Sequence, residues 1–144
     1  MVVNIEITKS GVLAEVSKTT AYEGAHSGAF DNTFAKPEDR DMLERYWNEG
    51  VAFITDAVKK FATKIVCSST SYKAELFMPS NYDQNMTASV NQAAFDYLCN
   101  FIVGKWLEML TSEKAGSYAN AATAQLAEMR SLLLHRVAPK RPES

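Results

Sequence analysis

The side chains best suited to acid–base, nucleophilic or metal chemistry are few in this sequence and far apart. It contains two histidines, His26 and His135, and two cysteines, Cys67 and Cys99, with neither a CxxC spacing nor a histidine near either cysteine. A general base, an activated thiol or a zinc site needs such groups brought together. We therefore interpret the histidines as structural or solvated, with catalysis or metal binding as the alternative. The cysteines are expected to be buried or half-buried thiols.

The carboxylates also lack a pattern typical of a catalytic or metal site. Their densest run, EDRD at 38–41, fits a solvated first turn of a helix, where Asp41 and Arg45 would form a weak pair four residues apart. Calcium-loop, phosphate-loop, dinucleotide-binding and G-x-S-x-G motifs do not occur. The sequence thus predicts a non-enzymatic protein without cofactor or metal, and the alternative is an enzyme whose site uses unremarkable residues.

The carboxy-terminal segment carries the clearest local charge. Between Arg130 and Pro142 the charged residues are all basic, and the last three of them, Arg136, Lys140 and Arg141, form a candidate interface. Such a cluster could contact an acidic protein surface or the phosphates of DNA, and either contact would weaken as salt rises. The alternative is a solvated tail.

Composition excludes several broad classes of function. The 144 residues are 47% apolar and 22% charged, which is typical of one globular domain spanning 1–144. A net charge of −2 provides no global attraction to nucleic acid or to an anionic membrane. The most apolar window, 97–110, is too short to cross a bilayer, and VVNIEITKS after Met1 does not resemble a signal peptide. We expect a cytoplasmic protein without membrane contact.

The elements that would position these side chains are mostly helical. Apolar spacing of three to four residues predicts helices at about 37–64, 87–110 and 112–137, and the short break before the last one predicts an antiparallel helical hairpin. Alternation in VVNIEIT and YKAELFM predicts strands at about 2–8 and 72–78, and a stretch rich in Val, Thr and Tyr suggests another at 12–22. The predicted class is α+β, mainly α, with a small antiparallel β element.

The apolar stripe of the first predicted helix should face the core. It consists of Leu43, Trp47, Ile54, Val58, Phe61 and Ile65. The aromatic side chains of the first two helices occupy more than one face. A core explains most of them, and a surplus beyond one stripe is also consistent with an interface in a homo-oligomer.

A resemblance to a known group of proteins rests on the second half of the chain. The sequence NQAAFDYLCNFIVGKWLEMLTSEKAGSYANAATAQLAEMRSLLLHRVAPKRP joins a bulky helix, a short polar break, an alanine-rich helix with Tyr118 and a basic end containing proline. It resembles the carboxy-terminal half of small head–tail connector and completion proteins of tailed bacteriophages and prophages. The segment YKAELFMPSNYD is similar to small uncharacterised prophage proteins of the same size.

The resemblance implies a non-enzymatic virion structural protein. Such a subunit assembles as a ring between the capsid portal and the tail, so its partners would be portal or tail proteins and further copies of itself. It would be found in the host cytoplasm and then in the virion. The alternative is a small bacterial binding or regulatory module that acts as a monomer or dimer.

Overall fold

The protein consists mainly of helices packed on a small antiparallel sheet. The computed structural model describes residues 1–27, 35, 39–110 and 112–138, without the side chains of residues 26 and 27. In these ranges, three strands are formed: β1 (Val2–Thr8), β2 (Ala62–Cys67) and β3 (Ser71–Phe77). The helices of the same ranges are α1 (Lys9–Ser27), α2 (Arg40–Val58), α3 (Thr87–Met109) and α4 (Ala115–Leu133). The predicted class, α+β and mainly α, is confirmed.

The sheet is built around β3, which lies between the other two strands in the order β1-β3-β2. Both neighbouring pairs are antiparallel. In β1 every second side chain is buried, and Val3, Ile5 and Ile7 lie opposite buried residues of β3. Alternation places these side chains on one face, which the helices cover. The strands predicted at 2–8 and 72–78 are therefore correct.

The strand predicted at 12–22 is wrong, because this segment belongs to α1. Val12, Val16 and Thr20 are fully buried at intervals of four residues, so tertiary packing uses a helical period. The Thr20 hydroxyl donates to the carbonyl oxygen of Val16 at 2.9 Å, which satisfies a buried polar group inside the helix. Burial on this face outweighs the β propensity of the Val and Thr side chains.

The first predicted helix, at 37–64, is too long at its carboxy-terminal end. Its buried stripe is confirmed for Leu43, Trp47, Ile54 and Val58, but α2 ends at Val58 and the segment from Ala62 onward is strand β2. Every residue of β2 after Ala62 is exposed, so its sequence shows no alternation of apolar and polar positions. The helical spacing to Phe61 and Ile65 was therefore misleading. Residues 37 and 38 lie outside the described ranges.

Helices α3 and α4 form the predicted antiparallel hairpin. The Asn100 amide donates to Gln125 Oε1 at 2.7 Å, and Gly104 lies beside the backbone of Ala119. A later residue of α3 thus contacts an earlier residue of α4, as in an antiparallel pair. The helix predicted at 87–110 matches α3 closely, whereas the one predicted at 112–137 is longer than α4 at both ends. After Leu133 the chain leaves the helix, and the Val137 N–H donates to the Asn81 carbonyl oxygen at 2.8 Å. This bond holds the end of α4 against the segment that precedes α3.

Candidate interaction surface

The histidines and carboxylates are not gathered into a reactive centre in the part of the chain that the structure describes. The side chain of His26 lies outside that part. His135 is exposed just after α4, with Nδ1 3.4 Å from Asp83 Oδ2. The residues at 1–27, 39–110 and 112–138 contain no cluster of three or more His, Cys, Asp or Glu side chains able to hold a metal ion. The expected Asp41–Arg45 pair is replaced by Arg45 with Glu49, at 3.5 Å.

The two cysteines have opposite environments. Cys67 is exposed at the end of β2, so the expectation of a buried or half-buried thiol is wrong for this residue. Cys99 is partly buried on α3, and burial raises the pKa of its thiol to about 12, with smaller contributions from the carboxylates of Glu15 and Asp96. A thiol with so high a pKa stays protonated and is a poor nucleophile at neutral pH.

The basic candidate interface is described only at its first residue. Arg136 is half-buried, and its Nη1 donates to the carbonyl oxygens of Leu133 at 2.7 Å and of His135 at 3.1 Å. These bonds satisfy carbonyl groups at the end of α4, a common function of arginine at a helix carboxy terminus. Lys140 and Arg141 lie outside the described residues, so the interface of Arg136, Lys140 and Arg141 stays a prediction.

A groove of about 340 Å³ lies between α2, α3 and α4 and is the most promising surface for binding. Phe53 of α2 and Phe101 of α3 line it and meet edge to face, with ring centroids 5.8 Å apart and an interplanar angle of 62°. Phe53 is 52% exposed, although it is a large aromatic residue beside buried Ile54. Ala122 and Leu126 of α4 form the opposite side. The groove therefore presents apolar surface from three helices at one place.

The close approach of α3 and α4 determines the shape of this groove. A Cβ atom at Gly104 would lie 3.2 Å from the backbone nitrogen of Ala119, so glycine allows the two helices to come this near. Ala122 contributes only a methyl group and is 3% exposed. Small side chains at the contact leave space beside the aromatic rings of α2 and α3, and that space is the groove.

The rim of the groove carries both signs of charge. Lys105 Nζ lies 5.7 Å from the centroid of the Phe101 ring, a distance typical of a cation–π contact, and the exposed Glu108 lies one turn further along α3. Tyr97 lines the groove from α3, and burial raises the pKa of its phenol, which is neutral at physiological pH. An apolar lining with a charged rim is the usual composition of a protein interaction site.

The sequence alone did not reveal this groove, because its residues come from three separate helices. The surplus of aromatic side chains was the available signal, and among them Trp47 and Trp106 proved to be core residues while Phe53 and Phe101 line the groove. Comparison of the chain with protein-family models, with curated proteins and with solved structures finds no match. No helix within the described ranges is long and apolar enough to cross a membrane.

Proposed function

We propose that the protein acts without catalysis, through contacts with other proteins, as a head–tail connector or completion subunit of a tailed phage or prophage. The observation that carries a binding role is the groove between α2, α3 and α4, with the half-exposed ring of Phe53 at its edge. Aromatic side chains in apolar concavities are frequent centres of binding energy at protein interfaces. The groove would receive an apolar segment of a neighbouring virion protein.

The resemblance of the second half of the chain supplies the more specific part of this proposal. It covers α3 and α4, the two helices that form most of the groove. A connector would contact the portal or tail and further copies of itself, first in the host cytoplasm and then in the virion. The basic segment of Arg136, Lys140 and Arg141 would add a salt-sensitive contact to an acidic partner surface or to DNA.

Co-expression with the structural proteins encoded beside it tests the proposal. We expect the wild-type protein to co-purify with them in a symmetric particle. Phe53→Asp would place a charge at the groove and remove this association. The matched control is Ala52→Asp, which adds the same charge at the preceding exposed residue, outside the groove lining. Equal assembly of both variants, or no association of the wild type with any neighbour, would contradict the proposal.

The alternative, a small bacterial binding or regulatory module, predicts a different mass. A native mass spectrum of the assembled state would show a monomer or dimer for the module and a larger ring for the connector. Because a connector subunit can stay monomeric until it meets its portal, the measurement must include the partners. A stable dimer that binds none of the virion proteins would favour the binding or regulatory module.

Truncation after Ala138 tests the basic segment separately from the groove. The removed residues include Pro139 and Pro142, and the sequence predicts that proline ends the preceding helix, so no core contact is expected to be lost. We expect the melting temperature to change little and the association to weaken, more so at low salt than above the concentration at which the Debye length is about 8 Å. A truncated protein that assembles as well as the full chain at every salt concentration would reduce the segment to solvated surface.

A further inference from the structure

The two edges of the sheet are treated differently by the rest of the fold. On the outer edge of β1, the Glu6 N–H donates to Asn91 Oδ1 at 2.8 Å, and Asn91 Nδ2 donates to the Asn4 carbonyl oxygen at 3.1 Å. The side chain of Asn91, which belongs to α3, thus makes the pair of bonds that another strand would make. Strand β1 is therefore closed to further pairing at its centre.

Among the described residues, none covers the outer edge of strand β2 in this way. A two-residue turn joins it to β3, with the Ser68 N–H donating to the Ser71 carbonyl oxygen at 2.9 Å. Because hydrogen-bonded and non-hydrogen-bonded pairs alternate from this point, Lys64 and Val66 bond to β3, while the N–H and C=O groups of Ile65 point outward. The N–H and C=O groups of Cys67 point outward for the same reason. Within the described ranges, neither strand nor side chain bonds to these outward groups.

The side chains of β2 are also exposed to solvent. Ile65 is 36% exposed and Val66 is 46% exposed, one on each face of the strand, because the helices cover the sheet mainly over β1 and β3. An edge with free backbone groups and exposed β-branched side chains is a template for an added strand. A fourth strand would bury apolar surface on both faces.

The charge around β2 indicates which kind of strand fits. Lys60, just before the strand, and Lys64 are both exposed, and Lys59 pairs with Asp56 at 3.0 Å. Glu75 lies opposite Lys64 on β3, on the side away from the open edge, and no ion pair within 4 Å joins Lys60 or Lys64 to a described residue. On the outer side of β2, Lys64 occupies a non-hydrogen-bonded position, where opposite side chains come closest. Two copies of the chain could pair their β2 strands antiparallel. With Ile65 opposite Ile65, Lys64 would lie diagonally across from Lys64 of the other copy. With Lys64 as the central residue, the two lysines would lie directly opposite each other. An acidic side chain at this position would be attracted instead.

We propose that β2 receives an extended segment of a partner protein as a fourth strand, and that this segment alternates acidic and apolar side chains. The acidic residues lie on the face of Lys64, and the apolar ones lie against Ile65 and Cys67. This site is separate from the groove and does not depend on the connector role. Loss of binding at one surface is therefore distinguishable from loss at the other.

Amide hydrogen exchange and NMR titration of the full chain test the geometry directly. In the free protein, the amides of Ile65 and Cys67 should exchange much faster than those of Lys64 and Val66. The probe is a blocked octapeptide in which glutamate and valine alternate, added at millimolar concentration. Its binding should protect the Ile65 and Cys67 amides and shift their resonances. Absence of binding, or protection confined to other parts of the protein, overturns the proposal.

Two altered peptides separate strand pairing from general charge attraction. The same peptide with methyl groups on alternate backbone nitrogens keeps its charge but cannot complete the ladder, and we expect at least a tenfold loss of affinity. A peptide with lysine in place of glutamate should bind severalfold more weakly. Equal binding of either altered peptide contradicts the mechanism.

Two protein variants provide the reciprocal test. Ile65→Pro removes an outward N–H group and leaves the hydrogen bonds to β3 in place. An edge strand tolerates proline at such a position. Binding of the peptide should be lost. Lys64→Glu should reverse the preference, so that the lysine peptide binds better than the glutamate peptide. If Ile65→Pro does not fold, the methylated peptide gives the same answer on the wild-type protein. Protection of Ile65 and Cys67 that grows with protein concentration without peptide would instead assign the edge to a second copy of the chain.

Discussion

Removal of three carbon atoms from Ile54 provides a quantitative test of the fold beneath the groove. Ile54 is 0% exposed in the last third of α2, next to the half-exposed Phe53 and one turn before the end of the helix at Val58. In Ile54→Ala the lost transfer free energy is about 0.8 kcal/mol for each buried carbon, or roughly 2.4 kcal/mol, before the cavity is counted. With a cavity term, we expect the free energy of unfolding to fall by about 3–4 kcal/mol.

Such a loss is large beside the ~5–15 kcal/mol by which a typical domain is stable. Urea unfolding followed by circular dichroism measures it, and the melting temperature should fall by roughly 10 °C for a chain of this size. Ala52→Asp, at an exposed position of the same helix, should lower the unfolding free energy by only about 1 kcal/mol, because aspartate has a lower helix propensity and lies four residues before Asp56. If Ile54→Ala unfolds at the wild-type urea concentration, α2 does not bury this face and the groove cannot be arranged as described.

Four further predictions concern other contacts. Tyr118→Phe removes the hydroxyl that donates to Glu23 Oε1 at 2.7 Å. The free energy of unfolding, measured by urea titration, should fall by ~1–2 kcal/mol, and an unchanged urea midpoint would show that this hydrogen bond contributes nothing. An alkylating reagent at pH 8 should modify Cys67 within minutes and Cys99 only on unfolding, as peptide mass mapping would show, and rapid modification of both thiols would contradict the burial of Cys99. Folding raises the pKa of the Cys99 thiol from 9.0 to about 12. The stabilisation linked to the protonated thiol is therefore present below pH 9 and should be lost as the pH rises from 9 toward 12. Melting temperatures measured across this pH range test this. Gly104→Val should destabilise the protein by ~2 kcal/mol, because its side chain meets the backbone of α4, and a variant as stable as wild type would refute the close approach.

Local patterns in the sequence were sufficient for much of the secondary structure. Val3, Ile5 and Ile7 alternate in β1, and the stripe from Leu43 to Val58 has a helical period, because each of these elements buries one face and leaves the other in water. The antiparallel pairing of α3 with α4 also followed, since a connection of a few residues permits little else. In these segments the local pattern and the packed structure agree.

The remaining features depended on partners distant in the sequence. Val12 and Val16 lie in a helix because its buried face, and not their β propensity, decides the conformation, and β2 is a strand only because β3 lies beside it. The groove needs Phe53, Phe101 and Ala122 from three helices to meet, and the open edge of β2 exists only where a sheet has formed. Sequence spacing carries information about which residues share a face of one element. Which faces of different elements meet, and which surfaces are then left uncovered, is decided by the packing of the whole chain.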